Sequence, residues 1–130
     1  VLLLISFTQL IAKSLSEHVS ALTASMNQSW QMVFQPIIGI SGSFITGSAT
    51  MSNLLFAGSL STVALAQQPL FAALLHTGSA IGNAISLQNI TMVKSVIPDN
   101  ILESRVLKFN LPVVLLYAVL VILSVLIFMR

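Results

Sequence analysis

The stretch Gly39-Ile40-Ser41-Gly42-Ser43-Phe44-Ile45-Thr46-Gly47-Ser48-Ala49-Thr50-Met51-Ser52-Asn53-Leu54-Leu55 decides the fold. It lies in the middle of residues 31–66, which are apolar toward both ends and richest in hydroxyl and amide side chains at 46–53. The front half runs from Met32 to Ile45 and the rear half from Leu54 to Ala66. Each half holds about 14 residues, or roughly 21 Å of helix, against a bilayer hydrocarbon core of about 30 Å. Neither half spans a membrane comfortably by itself. Two short helices meeting at a polar tip describe a re-entrant hairpin or a broken helix. Irregular backbone at membrane depth is tolerated only where it is buried in protein or lines a cavity.

The pattern recurs over residues 67–93. Gln67-Gln68-Pro69 reads as a turn, Leu70 to Ala80 as a short apolar helix, and Gly82-Asn83-Ala84-Ile85-Ser86-Leu87-Gln88-Asn89 as a second polar break. Lys94 opens a charged loop over 94–108 that carries Lys94, Asp99, Glu103, Arg105 and Lys108. Asn100 followed by Glu103 has capping-box character, which predicts a short surface helix from Ile101 to Lys108. Residues 109–130 then read as a terminal transmembrane helix, with Asn110 as N-cap, Pro112 in the first turn and Arg130 at the far end. The excess of basic residues in the 94–108 loop places that loop on the cytoplasmic side. Upstream, residues 1–13 are expected as the end of a transmembrane helix in a piece of a longer protein. No basic segment or cleavage site marks a signal peptide there. Residues 14–30 read as a polar loop or as interfacial helical turns, since Leu15, Val19, Leu22 and Met26 fall at helical spacing and Trp30 suits an interface.

Composition agrees with a bilayer environment. Of 130 residues, 56% are hydrophobic, the mean hydropathy is +1.00, and only 6% are charged, against roughly 25% in soluble domains. Residues 18–93 contain no Asp, Glu, Lys or Arg. A soluble fold of this size needs a largely polar exterior, and disorder needs low hydrophobicity, so both are excluded. A net charge of +2 spread over the chain is no nucleic-acid footprint. With no cysteine, and no clustered metal ligands, neither a metal nor a cofactor is expected. No Ser-x-x-Lys or Gly-x-Ser-x-Gly signature points to an enzyme.

Broken membrane helices leave backbone N–H and C=O groups unpaired, with partial positive charge at helix N-termini and partial negative charge at C-termini. Transporters use such ends to hold anions and coupling cations near the midplane. The candidate substrate-binding residues are therefore Thr46, Gly47, Ser48, Thr50, Ser52 and Asn53 at the first break. At the second they are Gly82, Asn83, Ser86, Gln88 and Asn89. The alternative is that these small residues only pack helices. Gly78 and Gly82, four residues apart, suit a packing seam of that kind. His76 is the one ionisable side chain well inside the uncharged region, either proton-linked or a neutral ring bonded to a helix carbonyl.

The two motifs resemble the lactate permease family, bacterial transporters that take up lactate and glycolate, usually coupled to protons. The resemblance rests on Gly39-x-x-Gly42-x-Phe44-Ile45-Thr46-Gly47-Ser48-x-Thr50-x-Ser52-Asn53 and on Gly78-Ser79-Ala80-Ile81-Gly82-Asn83-Ala84-Ile85-Ser86-Leu87-Gln88-Asn89-Ile90. It covers roughly Gln35 to the end and matches the C-terminal part of that family. It implies an all-α polytopic membrane protein with a re-entrant hairpin tipped at 46–53, a broken helix unwound at 82–89, and a terminal transmembrane helix. These would form half of an inverted-repeat transporter in the bacterial inner membrane, the other half lying in a missing N-terminal portion. The implied partners are a small organic anion, H+ and the lipid bilayer. Two departures bear on substrate preference: Ala49 stands where the family has an amide, and Leu87 where it has a proline. The competing readings are a structural or assembly subunit, and a related carrier of another organic anion with Na+ coupling.

Overall fold

A computed structural model describes residues 2–96 and 103–129. The described residues are helical with no strand. Helix α1 spans Leu2–Ala24 and continues through the polar 14–24 segment. Two of its hydroxyls there are tied to main-chain carbonyls. Thr23 Oγ1 donates to the carbonyls of Val19 and Ser20, both at 3.0 Å, and Ser16 Oγ donates to Leu55 O at 2.5 Å. Asn27 then caps α2 (Gln28–Thr46), its side chain accepting from Trp30 N at 3.1 Å.

Helix α2 ends at Gly47, whose φ of 69° puts it in the left-handed region and whose N–H donates to Ser43 O at 2.9 Å. Ser48 at once caps α3 (Ala49–Phe56), its hydroxyl accepting from Met51 N at 3.3 Å. The turn is thus narrower than the polar stretch 46–53, because a good N-cap at Ser48 lets Ala49–Asn53 join the helix. The rear arm continues as 3-10 turns over Ala57–Thr62 and Leu65–Gln67. The arms run antiparallel: Gln35 Nε2 donates to Ser59 Oγ at 3.2 Å, and Ser52 Oγ donates to Gly39 O at 3.1 Å.

Helix α4 (Gln68–Gly82) starts with Pro69 in its first turn, where a missing N–H does no harm. It passes through a 3-10 turn at Asn83–Ile85 to an extended Ser86, and α5 (Leu87–Val96) follows. The helical segments on either side of Ser86 meet at 44°. Met32, Val63, Phe71 and Val125 form a small apolar core shared by α2, α4 and the last helix.

Helix α6 spans Glu103–Phe128. Among the described residues it is the one helix long and apolar enough to cross a membrane, or one of two if the bent pair around Ser86 counts as a span. Most of its large apolar side chains, Leu115, Leu116 and Leu123 among them, face outward, and only Val114 and Val125 are buried. Glu103–Lys108 form its first turns rather than a separate surface helix. Asn110 is therefore not an N-cap: it sits inside the helix and donates Nδ2 to Ala84 O at 2.8 Å. The proposed Asn100 cap, with Asp99, Ile101 and Arg130, lies outside the described residues.

Lys94 Nζ, at the end of α5, lies 2.7 Å from Glu103 Oε1 at the start of α6, with both side chains more than a third exposed. Solvent screens an exposed pair of this kind, so Glu103→Gln should leave the thermal midpoint in detergent almost unchanged. A clear drop would mean that this pair, not apolar packing, holds α6 in place.

Candidate functional site

Glycines bring the two breaks to one level. Helices α2 and α4 run parallel and touch along their backbones. A Cβ on Gly39 would meet Ser79 N at 2.6 Å, one on Gly78 would meet Pro36 C at 2.7 Å, and one on Gly82 would meet Ile40 Cα at 2.6 Å. These neighbours are main-chain atoms, so no larger residue fits unless the helices part. This is the small-residue seam open to Gly78 and Gly82 from their spacing. Because the helices run in the same direction, α2 reaches its turn where α4 reaches its break.

At that level Gly47 lies against Gln88, whose Cβ and Cδ would each be 2.8 Å from a Cβ on the glycine. Asn89 bridges the break, donating Nδ2 to Asn83 Oδ1 at 2.9 Å and to Asn83 O at 3.3 Å. Ser86 Oγ accepts from Asn89 N at 3.4 Å and so starts α5. Thr46 Oγ1 accepts from Ser48 N at 3.2 Å and donates to Ser48 O at 2.9 Å, which closes the tip. Thr46, Gly47, Ser48, Asn83, Ser86, Gln88 and Asn89 are thus brought together. The C-termini of α2 and α4 and the N-termini of α3 and α5 converge there, offering carbonyl oxygens and N–H groups side by side.

Four candidates separate from this cluster. Thr50 and Asn53 point from α3 toward His76 of α4 and line with it a recess of about 400 Å³. Ser52 faces the opposite way. It is fully buried where α2, α3 and α4 meet, with Oγ 2.9 Å from Ser79 Oγ as well as bonded to Gly39 O. Gly82 is buried in the α2–α4 seam, against Ser43 and Ile40. Sequence reasoning missed Asn110, which fixes the backbone of the second break from α6. The available signal was an amide inside an otherwise apolar run, since such residues in membrane helices have a partner by default. Among the described residues no group of His, Asp and Glu is arranged to hold a metal.

Comparison with known proteins places the chain in context. The sequence profile described as L-lactate permease matches residues 1–130. A Haemophilus influenzae protein provisionally named an L-lactate permease is 33% identical over 90 residues. That match takes in 67% of this chain and 17% of the relative, so the chain spans a minor part of that relative's length. No solved structure matches.

Proposed function

The chain belongs to the L-lactate permease family, whose members are transporters and not enzymes, and from that premise we propose that it forms half of the substrate site of a secondary transporter for small monocarboxylates such as lactate and glycolate. The transporter is a multi-pass protein of the bacterial inner membrane and works by proton symport. The hairpin tip and the broken helix supply one side of the anion site. An inverted copy of the same pattern, in the N-terminal portion of the longer protein, supplies the other.

The single observation that carries this reading is the convergence of the tip at Gly47–Ser48 with the break at Asn83–Asn89, through the Gly47–Gln88 contact. Four helix ends with no formal charge hold a carboxylate through N–H groups, hydroxyls and amides, and the low-dielectric surroundings strengthen each such bond. The hydroxyl of a 2-hydroxy acid finds acceptors in the carbonyl ends of α2 and α4. Ser52 and Gly82 belong to the packing beneath the site, so the proposed contacts are Thr46, Gly47, Ser48, Asn83, Ser86, Gln88 and Asn89, with Thr50, Asn53 and His76 in the recess beside them.

In the full-length protein, Ser48→Ala, Thr50→Ala and Asn89→Ala should each cut lactate uptake into vesicles at least about tenfold, the equivalent of 1.4 kcal/mol or more. Membrane levels should be unchanged. Normal uptake by all three variants would remove the site from both breaks.

A further inference from the structure

Asn53 Nδ2 lies 2.8 Å from His76 Nδ1. An amide nitrogen only donates, so Nδ1 accepts and the neutral ring carries its proton on Nε2. The oxygen of the same amide, Asn53 Oδ1, is buried and has no hydrogen-bond partner among the described residues. The pair therefore holds an idle acceptor one half-turn of χ2 away from the ring.

We propose that proton uptake by His76 turns the Asn53 amide over, and that this reversal couples the proton to anion binding in the recess lined by Thr50, Asn53 and His76. The inference rests on the transport reading and adds its proton carrier. A proton arriving from water bonds to Nδ1, and the ring becomes a cation with N–H groups at both nitrogens. Nδ1–H then faces the Asn53 NH2, donor against donor, and that contact is lost. Rotation of the amide brings Oδ1 to Nδ1–H, replacing a neutral hydrogen bond with a charge-assisted one. The imidazolium also puts a positive charge on a recess that otherwise has none, beside the Thr50 hydroxyl. A carboxylate entering there neutralises it. Each ion favours the other's binding by the same factor, because coupling between two sites is reciprocal.

Among the described residues no other charge faces the ring. Helices α2 and α3 and the 3-10 turns at 57–62, 65–67 and 83–85, all packed around α4, contain no Asp, Glu, Lys, Arg or further His. Helix α6 carries Glu103, Arg105, Lys108 and Tyr117, but it packs along Leu70, Leu74 and Thr77, on the far side of α4 from His76. Helix α1 packs against α3 and the turn after it, where Lys13 and Glu17 pair with each other and the ring of His18 bonds Ser14 O.

The test uses the full-length protein in liposomes, with labelled lactate uptake followed across a pH series. His76→Gln keeps a side chain that can pair with Asn53 but takes no proton, and should flatten the pH dependence at whatever rate remains. A wild-type pH profile in His76→Gln overturns the proposal. Nitrogen NMR of the histidine-labelled protein in micelles provides a second reading that needs no variant. A neutral His76 ring protonated on Nε2, changing to the doubly protonated form as pH falls, is expected, whereas a neutral ring protonated on Nδ1 overturns it. Failure of the wild-type protein to take up lactate at any pH overturns the transport reading instead, and the NMR result still decides the switch.

Discussion

Gly78→Val should leave no folded protein in the membrane. The hydrogen of Gly78 faces the Pro36 backbone, and even a single added carbon would lie 2.7 Å from the Pro36 carbonyl carbon. Main-chain atoms of two packed helices cannot swing aside as a side chain can. Pro36 is itself buried within α2, and its ring removes the N–H that the Met32 carbonyl would otherwise use. The helices must separate, and the neighbouring contacts at Gly39 and Gly82 open with them. Overpacking a rigid core costs about 1–3 kcal/mol and sometimes more. A valine here should reach or exceed the upper end of that range. Loss of the monodisperse peak on size exclusion in detergent measures it. Gly58→Ala is the matched control. Its Cβ would meet two side-chain hydroxyls and no main chain: Ser20 Oγ at 3.2 Å, which can rotate, and Ser16 Oγ at an ordinary 3.9 Å. It should fold normally.

Gly47→Val should do the reverse, preserving the fold and abolishing transport. A β-branched residue at φ 69° is strained by about 1–3 kcal/mol, and its side chain displaces Gln88 from the tip. The strain falls on a two-residue turn at the end of α2, away from the seam at Gly39, Gly78 and Gly82. The helices stay packed while the tip and the break move apart. Lactate uptake should fall more than about tenfold while the protein still reaches the membrane folded, its thermal midpoint lowered by no more than the several degrees that this local strain implies. Uptake within a factor of two of wild type would mean that the Gly47–Gln88 contact does not position substrate.

Much of the architecture is readable from composition, because bilayer physics leaves few choices. A long uncharged stretch must be helix, and Gly, Ser and Asn mark where its helices end. What the sequence did not carry is direction around each helix. Ser52 and Asn53 are adjacent and chemically alike, yet Ser52 enters the three-helix junction and Asn53 faces the recess, a difference of one helical position set by how α3 packs on α2. Gly82 reads equally well as a hinge or as a seam, and only the proximity of Ile40 places it in the seam. Asn110 with Pro112 two residues later has the local pattern of a helix start. The described helix nonetheless already runs through Glu103–Lys108, and Asn110 inside it bonds Ala84 O, 26 residues away. The Asn53–His76 pair, 23 residues apart, is equally invisible to local reasoning. Long-range pairing of polar groups is what the sequence leaves open, and it decides which polar residues serve packing and which face a ligand.

In the proposed transporter, two interruptions far apart in sequence form one side of one anion site. The chain contains no cysteine, so Ser48→Cys and Gln88→Cys, made separately in the full-length protein, give clean single-thiol reporters in this region. Both thiols should react with a small membrane-impermeant reagent, and lactate should slow both reactions in parallel, with the same concentration dependence. Labelling at one position that lactate leaves unchanged, or two positions that never react, would contradict a shared site at the tip and the break.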